Sequence, residues 1–288
     1  MIIRDEASGW LRVGEIAPQM LAEMRQQIAW AAQLIPAVGA AHLTPAADGS
    51  HLTMEWLGGQ ELLASERPFR ARQFRVALRV AGFALVVLDM MERPLTETAL
   101  DGHTLSDLRA WLETAIASYT GSDPVRLELP ASRLPNHPVA GGRVFVRDAA
   151  DACVELARWY AGADVVLREL AAITPGSSPV RCWPQRLDLR MRMTVPADGP
   201  DLGILIGMCP GDAAYPDPYW YVVPEVVRPG ASLPPLSHGG EWHEGEWTGA
   251  VLRARRLIPG SASGQRERLV AFLDEGMSAA RDVLAVSR

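Results

Sequence analysis

The sequence predicts an α+β fold of two similar halves. Each half is expected to carry mostly antiparallel strands, about four of them, between two helices. Three observations lead there. Segments with apolar residues every three to four positions alternate with segments of strict apolar–polar alternation. The order helix, strands, helix runs twice along the 288 residues. A Pro- and Gly-rich stretch, "LELPASRLPNHPVAGG", lies between the two runs. The expected domains are an N-terminal half over 1–126, an extended linker over 127–148, and a C-terminal half over 149–288. An internal duplication would explain the order, with Ala41–Trp56 matching Val180–Met191.

The first helix is expected over "EIAPQMLAEMRQQIAWAAQLI". Pro18 suits its first turn, Ile16, Met20, Met24 and Ile28 form its stripe, and Pro36 is expected to stop it. Strands then follow. "HLTMEWL" alternates Leu52, Met54 and Trp56, while "FRVALRV" and "FALVVLD" form a hairpin across Ala81-Gly82. The second helix is "TLSDLRAWLETAIASY", with Thr104 and Asp107 as a capping pair and Gly121 as its stop. The third runs from about Ala149 to Ile173, capped by Asp148, with Cys153, Leu156, Tyr160, Ala163 and Leu170 in its stripe. In "RLDLRMRMTV", Leu187, Leu189, Met191, Met193 and Val195 take one face of a strand. Arg186, Asp188, Arg190, Arg192 and Thr194 take the other. A turn is expected at Asp198-Gly199, then strands "LGILIGM", "YWYVV" and "WTGAVLRA". "GQRERLVAFLDEGMSAARDVLAV" closes the chain as the fourth helix.

Composition excludes several chemistries. The 28 basic residues are all arginine. Without lysine there is no Schiff-base chemistry and no phosphate-loop lysine. A net charge of −6 provides no overall positive field for nucleic acid or anionic lipid, so neither is expected as a partner. The three cysteines, Cys153, Cys182 and Cys209, form no CxxC pair, so neither structural zinc nor a redox dithiol is expected. No cofactor and no bound metal are expected. No apolar run reaches 18 residues, and "MIIRDEASGW" does not resemble a signal peptide, so a cytoplasmic location is the expectation.

Four stretches can carry chemistry. Gly207-Met208-Cys209-Pro210-Gly211 matches a cysteine nucleophile elbow, but that motif needs a helix next. Pro210, Pro216 and Pro218 deny one, which leaves a Pro-Gly turn with Cys209 as a small buried residue. "SHGGEWHEGEW" brings His238, Glu241, His243, Glu244 and Glu246 together. It reads as a metal site needing ligands from elsewhere, as a polar substrate-facing loop with Trp242, or as a plain Gly-rich loop. The arginine face of "RLDLRMRM" can hold an anion or can simply be the solvated side of a sheet. In "YWYVV", Tyr219 and Tyr221 oppose Trp220 and Val222, and one of the two faces must meet the core.

"SPVRCWP", "PGDAAYPDPYWYV" and "GEWHEGEWTGAVL" together resemble the C-terminal signature of a bacterial protein family with no assigned activity. The matching residues are Ser178 to Pro184, Pro210 to Asp212, Tyr215, Pro218 to Val222, Gly240, Trp242, His243, Trp247 and Gly249 to Leu252. The resemblance implies a fold and no reaction. It implies two histidines after Trp183-Pro184, where this chain has Gln185 and Arg186, and a serine where it has Cys209. Both departures weaken an enzymatic reading.

The expected site lies in a cleft of the C-terminal half. His243 is the expected acid–base group, with Asp188 or Asp212 as the carboxylate that orients it. Trp183, Arg186, Tyr215, Tyr219, Tyr221, Glu241 and Trp242 are expected to bind a small polar or aromatic molecule there. The alternative is a non-catalytic binding or structural protein, including a homodimer through a sheet face.

Overall fold

A computed structural model describes residues 9–66, 73–130, 134–196 and 201–286. The turn expected at Asp198-Gly199 lies outside these residues. The chain divides into two compact units. One comprises Met20–Ala157 with Arg181–Leu187, the other Met1–Gln19, Arg158–Val180 and Asp188–Arg288.

In the first of these, α1 (Ala22–Ala32) is followed at once by α2 (Leu34–His42). Pro36 does not end a helix as expected. It sits in the first turn of α2, where its missing N–H has no intrahelical partner to lose. The break falls instead at Gln33, whose amide donates to Ala29 O at 3.1 Å and Pro184 O at 3.0 Å. The strands are β1 (Met54–Leu57), β2 (Leu62–Ser65), β3 (Arg75–Arg79), β4 (Ala84–Leu88), β5 (Pro94–Ala99) and β6 (Arg181–Trp183). They pair antiparallel in the order β6-β1-β2-β3-β4-β5. The β3–β4 hairpin is where the sequence placed it, although β4 is buried at all five positions. β2, a buried run of only four residues, and β5, almost wholly exposed, also lack the period-two signal. Next, α3 (Leu105–Thr120) begins on the expected capping box: Thr104 Oγ1 accepts from Asp107 N, and Asp107 accepts from Thr104 N. It ends at Gly121, whose φ of 69° suits glycine. Arg75, fully buried, is held by Ser65 O at 2.6 Å, Glu55 at 2.7 Å and Glu92 at 3.0 Å.

The division of the chain falls within α4 (Ala150–Ile173). The second unit contains β7 (Asp188–Val195), β8 (Leu202–Cys209), β9 (Tyr219–Pro224), β10 (Glu241–Glu244) and β11 (Thr248–Arg253), then α5 (Ala254–Leu257) and α6 (Ala262–Val286). Its strands pair antiparallel in the order β10-β11-β9-β8-β7. The register puts Met191, Ile206, Val222 and Ala250 side by side. This apolar face packs under α6. Gly276 allows the close approach, since a Cβ there would meet Val222 at 3.0 Å.

The protein is thus of mixed α+β class with antiparallel pairing, and more than four strands follow each helical start. Among the described residues no helix is long and apolar enough to cross a membrane. All three cysteines are free and buried. Burial pushes the Cys153 thiol up to about 11. A thiol reagent at pH 8 is therefore expected to leave all three unlabelled in the native protein and to label three after unfolding. Rapid native-state labelling of Cys153 would contradict this burial.

Candidate functional site

The β7–β11 face opposite α6 is polar and aromatic. Strand pairing places Tyr221 against Gly207 on one side and Val251 on the other, with Arg190 next to Gly207 on β7. Gly207 has no side chain, so the Tyr221 phenol lies across β8. A Cβ on Gly207 would sit 2.6 Å from the Tyr221 hydroxyl and 2.7 Å from Arg190 Cβ. The hydroxyl donates to the Asp188 carboxylate on β7, which Arg190 also approaches at 3.3 Å. Asp188 is only 1% exposed, so these two donors compensate for removing its charge from water. The same device recurs along β8. Arg192 and Glu225 form a two-bond pair at 2.6 and 2.7 Å, and a Cβ on Gly203 would lie 2.4 Å from both side chains.

The loop after β8 folds back over this face. Gly211 takes a φ of 121°, which the Pro-Gly turn permits, and no helix follows Cys209. The elbow geometry is therefore absent. Asp212 organises the loop: Oδ1 accepts from Ala214 N and Tyr215 N, both at 3.0 Å, while Oδ2 accepts from the Tyr219 hydroxyl at 2.6 Å. This Asx turn sets Tyr215 upon Tyr219, with ring centroids 4.9 Å apart. Cys209, Tyr219, Tyr221 and Val251 form the buried floor, and Leu205, Val223 and Trp247 border it half-buried.

His243 stands at the open side of this floor. Its Nδ1 is hydrogen-bonded to the Tyr215 hydroxyl at 3.0 Å, and its ring stacks on Trp247 at 4.0 Å. Arg253 lies over the Tyr215 ring, 5.0 Å from its centre. Glu241 lies 3.8 Å from both Arg253 and Arg255. Burial lifts the Tyr215 phenol above the ordinary tyrosine range. The Glu241 and Asp212 carboxylates add to the rise, and the two arginines oppose it.

Asp188, Asp212, Tyr215, Tyr219, Tyr221 and His243 therefore share one hydrogen-bonded and ring-packed face. The hydrogen bond at His243 Nδ1 comes from Tyr215, while Asp188 and Asp212 each accept from a tyrosine hydroxyl. Glu241 lies on the same face, exposed. Trp242 alternates to the other side, where its indole donates to Pro234 O at 2.6 Å. Trp183 and Arg186 belong to the other compact unit: Trp183 ends β6 and Arg186 follows in a turn. Leu187 takes a φ of 53°, which interrupts the alternation expected to join Arg186 to Asp188. Sequence reasoning missed Gly207, Trp247 and Arg253. The signal for Gly207 was a glycine inside an otherwise apolar strand. His238, the other histidine of that stretch, pairs with Glu275 at 3.3 Å. Among the described residues, no three His, Cys, Asp or Glu side chains gather as metal ligands.

No family model, curated protein or solved structure matches the chain.

Two outcomes follow from the geometry. Gly207→Ala should destabilise the protein by about 1–3 kcal/mol through overpacking against Tyr221 and strand β7. Chemical denaturation reads this, and an unchanged midpoint would contradict the crossing phenol. Glu275 accepts from Ser237 N at 2.7 Å and His238 N at 3.0 Å, and these bonds hold its carboxyl below the usual range although burial opposes them. A depressed folded pKa means its contribution is present above the unfolded glutamate value and is lost as pH falls through the folded one. Glu275→Gln should therefore speed proteolysis of the 225–240 segment at pH 7 and have little added effect in acid.

Proposed function

We propose that the half-open face around His243, Tyr215 and Trp247 binds a small polar or aromatic molecule, with His243 as its acid–base group. The observation that carries this reading is the Tyr215–His243 hydrogen bond at 3.0 Å on a ring already stacked against Trp247. A neutral phenol donating to Nδ1 puts the imidazole proton on Nε2. A Cβ at Gly245 would stand 3.2 Å from Nε2, so glycine there keeps that nitrogen clear. His243 is then positioned to exchange a proton with a bound molecule or with water beside it, which is hydrolase-like chemistry. The half-buried apolar rim of Leu205, Val223 and Trp247 suits a ring. Asp212 and Asp188 act one step back, by holding Tyr219 and Tyr221.

A non-catalytic binding protein is the second reading. It is favoured by the use of both carboxylates in tyrosine hydrogen bonds, which leaves His243 without a carboxylate to stabilise its cationic form.

A thermal-shift screen of small aromatic and polar compounds tests the site, because a ligand of the native state raises the melting temperature by mass action. Compounds that stabilise the wild type should lose their effect in Trp247→Ala. Loss of turnover with retained binding in His243→Gln would support the acid–base reading. Binding without turnover in the wild type would support the second. Stabilisation unchanged in both variants would remove this face as the site.

A further inference from the structure

We infer that the molecule bound at this face is an anion, a small carboxylate with an aromatic or apolar body, and that Arg253 takes its charged group. The inference rests on the binding reading above and adds the ligand's chemical class. Arg253 is the observation that carries it. Its side chain is only 24% exposed, yet among the described residues its guanidinium makes no hydrogen bond. Nε is sealed from solvent without a partner. The nearest carboxylate, Glu241, is 3.8 Å from its NH1 group, too far for a hydrogen bond. A guanidinium with this much burial ordinarily has its donors satisfied; Nε is closed off, so a ligand meets the terminal nitrogens of the exposed quarter of the side chain.

The neighbours of Arg253 fit a carboxylate better than a neutral or cationic group. Arg192 is neutralised by its two bonds to Glu225, and Arg190 lies against Asp188, so their charges are matched within the fold. Glu241 is different. It is 46% exposed and lies at 3.8 Å from Arg255 as well as Arg253, balancing two cations without bonding to either. An incoming carboxylate can displace it and form the planar two-bond pair that a guanidinium favours. The Tyr215 ring under Arg253 fixes the guanidinium, so little side-chain freedom remains to be lost on binding. The same ring leads from Arg253 to His243 and Trp247, with centroid separations of 5.5 Å from Tyr215 to His243 and 4.0 Å from His243 to Trp247. A carboxylate at Arg253 would therefore direct an attached ring along Tyr215 toward the imidazole.

Benzoate and its neutral analogue benzyl alcohol are the probes. Titration calorimetry with the full chain measures affinity, and the His243 ring protons in NMR report the place of binding. Benzoate is expected to bind saturably, about tenfold or more tighter than benzyl alcohol, and to shift the His243 signals. Arg253→Gln should lose about that same factor for benzoate and leave benzyl alcohol unchanged, while Arg253→Lys retains part of the preference. Equal affinity of the two probes in the wild type, or benzoate binding unchanged in Arg253→Gln, overturns the anion assignment and leaves the binding site standing. Failure of both probes to bind or to move the His243 signals overturns the site and the assignment together. Circular dichroism checks the variants, and if Arg253→Gln does not fold, the wild-type comparison and Arg253→Lys decide.

Discussion

The tyrosine hydroxyl that crosses Gly207 to reach Asp188 is the interaction on which the polar face of the β7–β11 sheet depends. A carboxylate this deeply buried is tolerated only with donors in place, and its donors come from β9 and β7. Between them lies β8, which must be bare at that point. One glycine thus permits a bond between strands that are not neighbours. Once Tyr221 is pinned, Tyr219 shares its orientation on the same strand, and Tyr215 has a flat surface on which to rest.

The loop from Pro210 to Pro218 turns that surface into something with chemical character. Prolines hold their predecessors extended, and Asp212 closes the short turn that delivers Tyr215. A phenol placed this way does two things at once. Its hydroxyl orients His243, and its ring supports Arg253. The chain has five tyrosines, and the one in this loop with the two on β9 build the floor and the bridge between the imidazole and the guanidinium. Opposite, α6 seals Trp220 and Val222, so the strand alternation leaves two buried faces of different kinds, one dry and one polar.

Much of this was legible in the chain. The capping box of α3, its glycine stop, the β3–β4 hairpin and the alternation of β7 and β9 follow from local rules of sterics and periodicity. The residues of the candidate site were mostly visible too, because tyrosine, histidine and aspartate concentrate in two short segments. Pro36 misled because proline breaks a helix interior yet suits a first turn, and nothing local says which applies. Strands β2, β5 and β6 escaped notice because one is a buried run of only four residues, one is exposed along its length and one spans three residues. None of these shows alternation.

What the sequence alone determined is the class of fold, the sidedness of its clear strands, and the lack of any lysine or CxxC pair. Those depend on residue type and spacing within a few positions. What only the tertiary structure decided is who partners whom. Asp188 and Asp212 were equal candidates to meet His243, yet each binds a tyrosine, and the hydroxyl at His243 is that of Tyr215. The reason is strand register: it sets which side chains meet across β7, β8, β9 and β11, and a shift of one residue would exchange the faces. Register is fixed by packing across the whole sheet, a constraint that no short segment carries by itself.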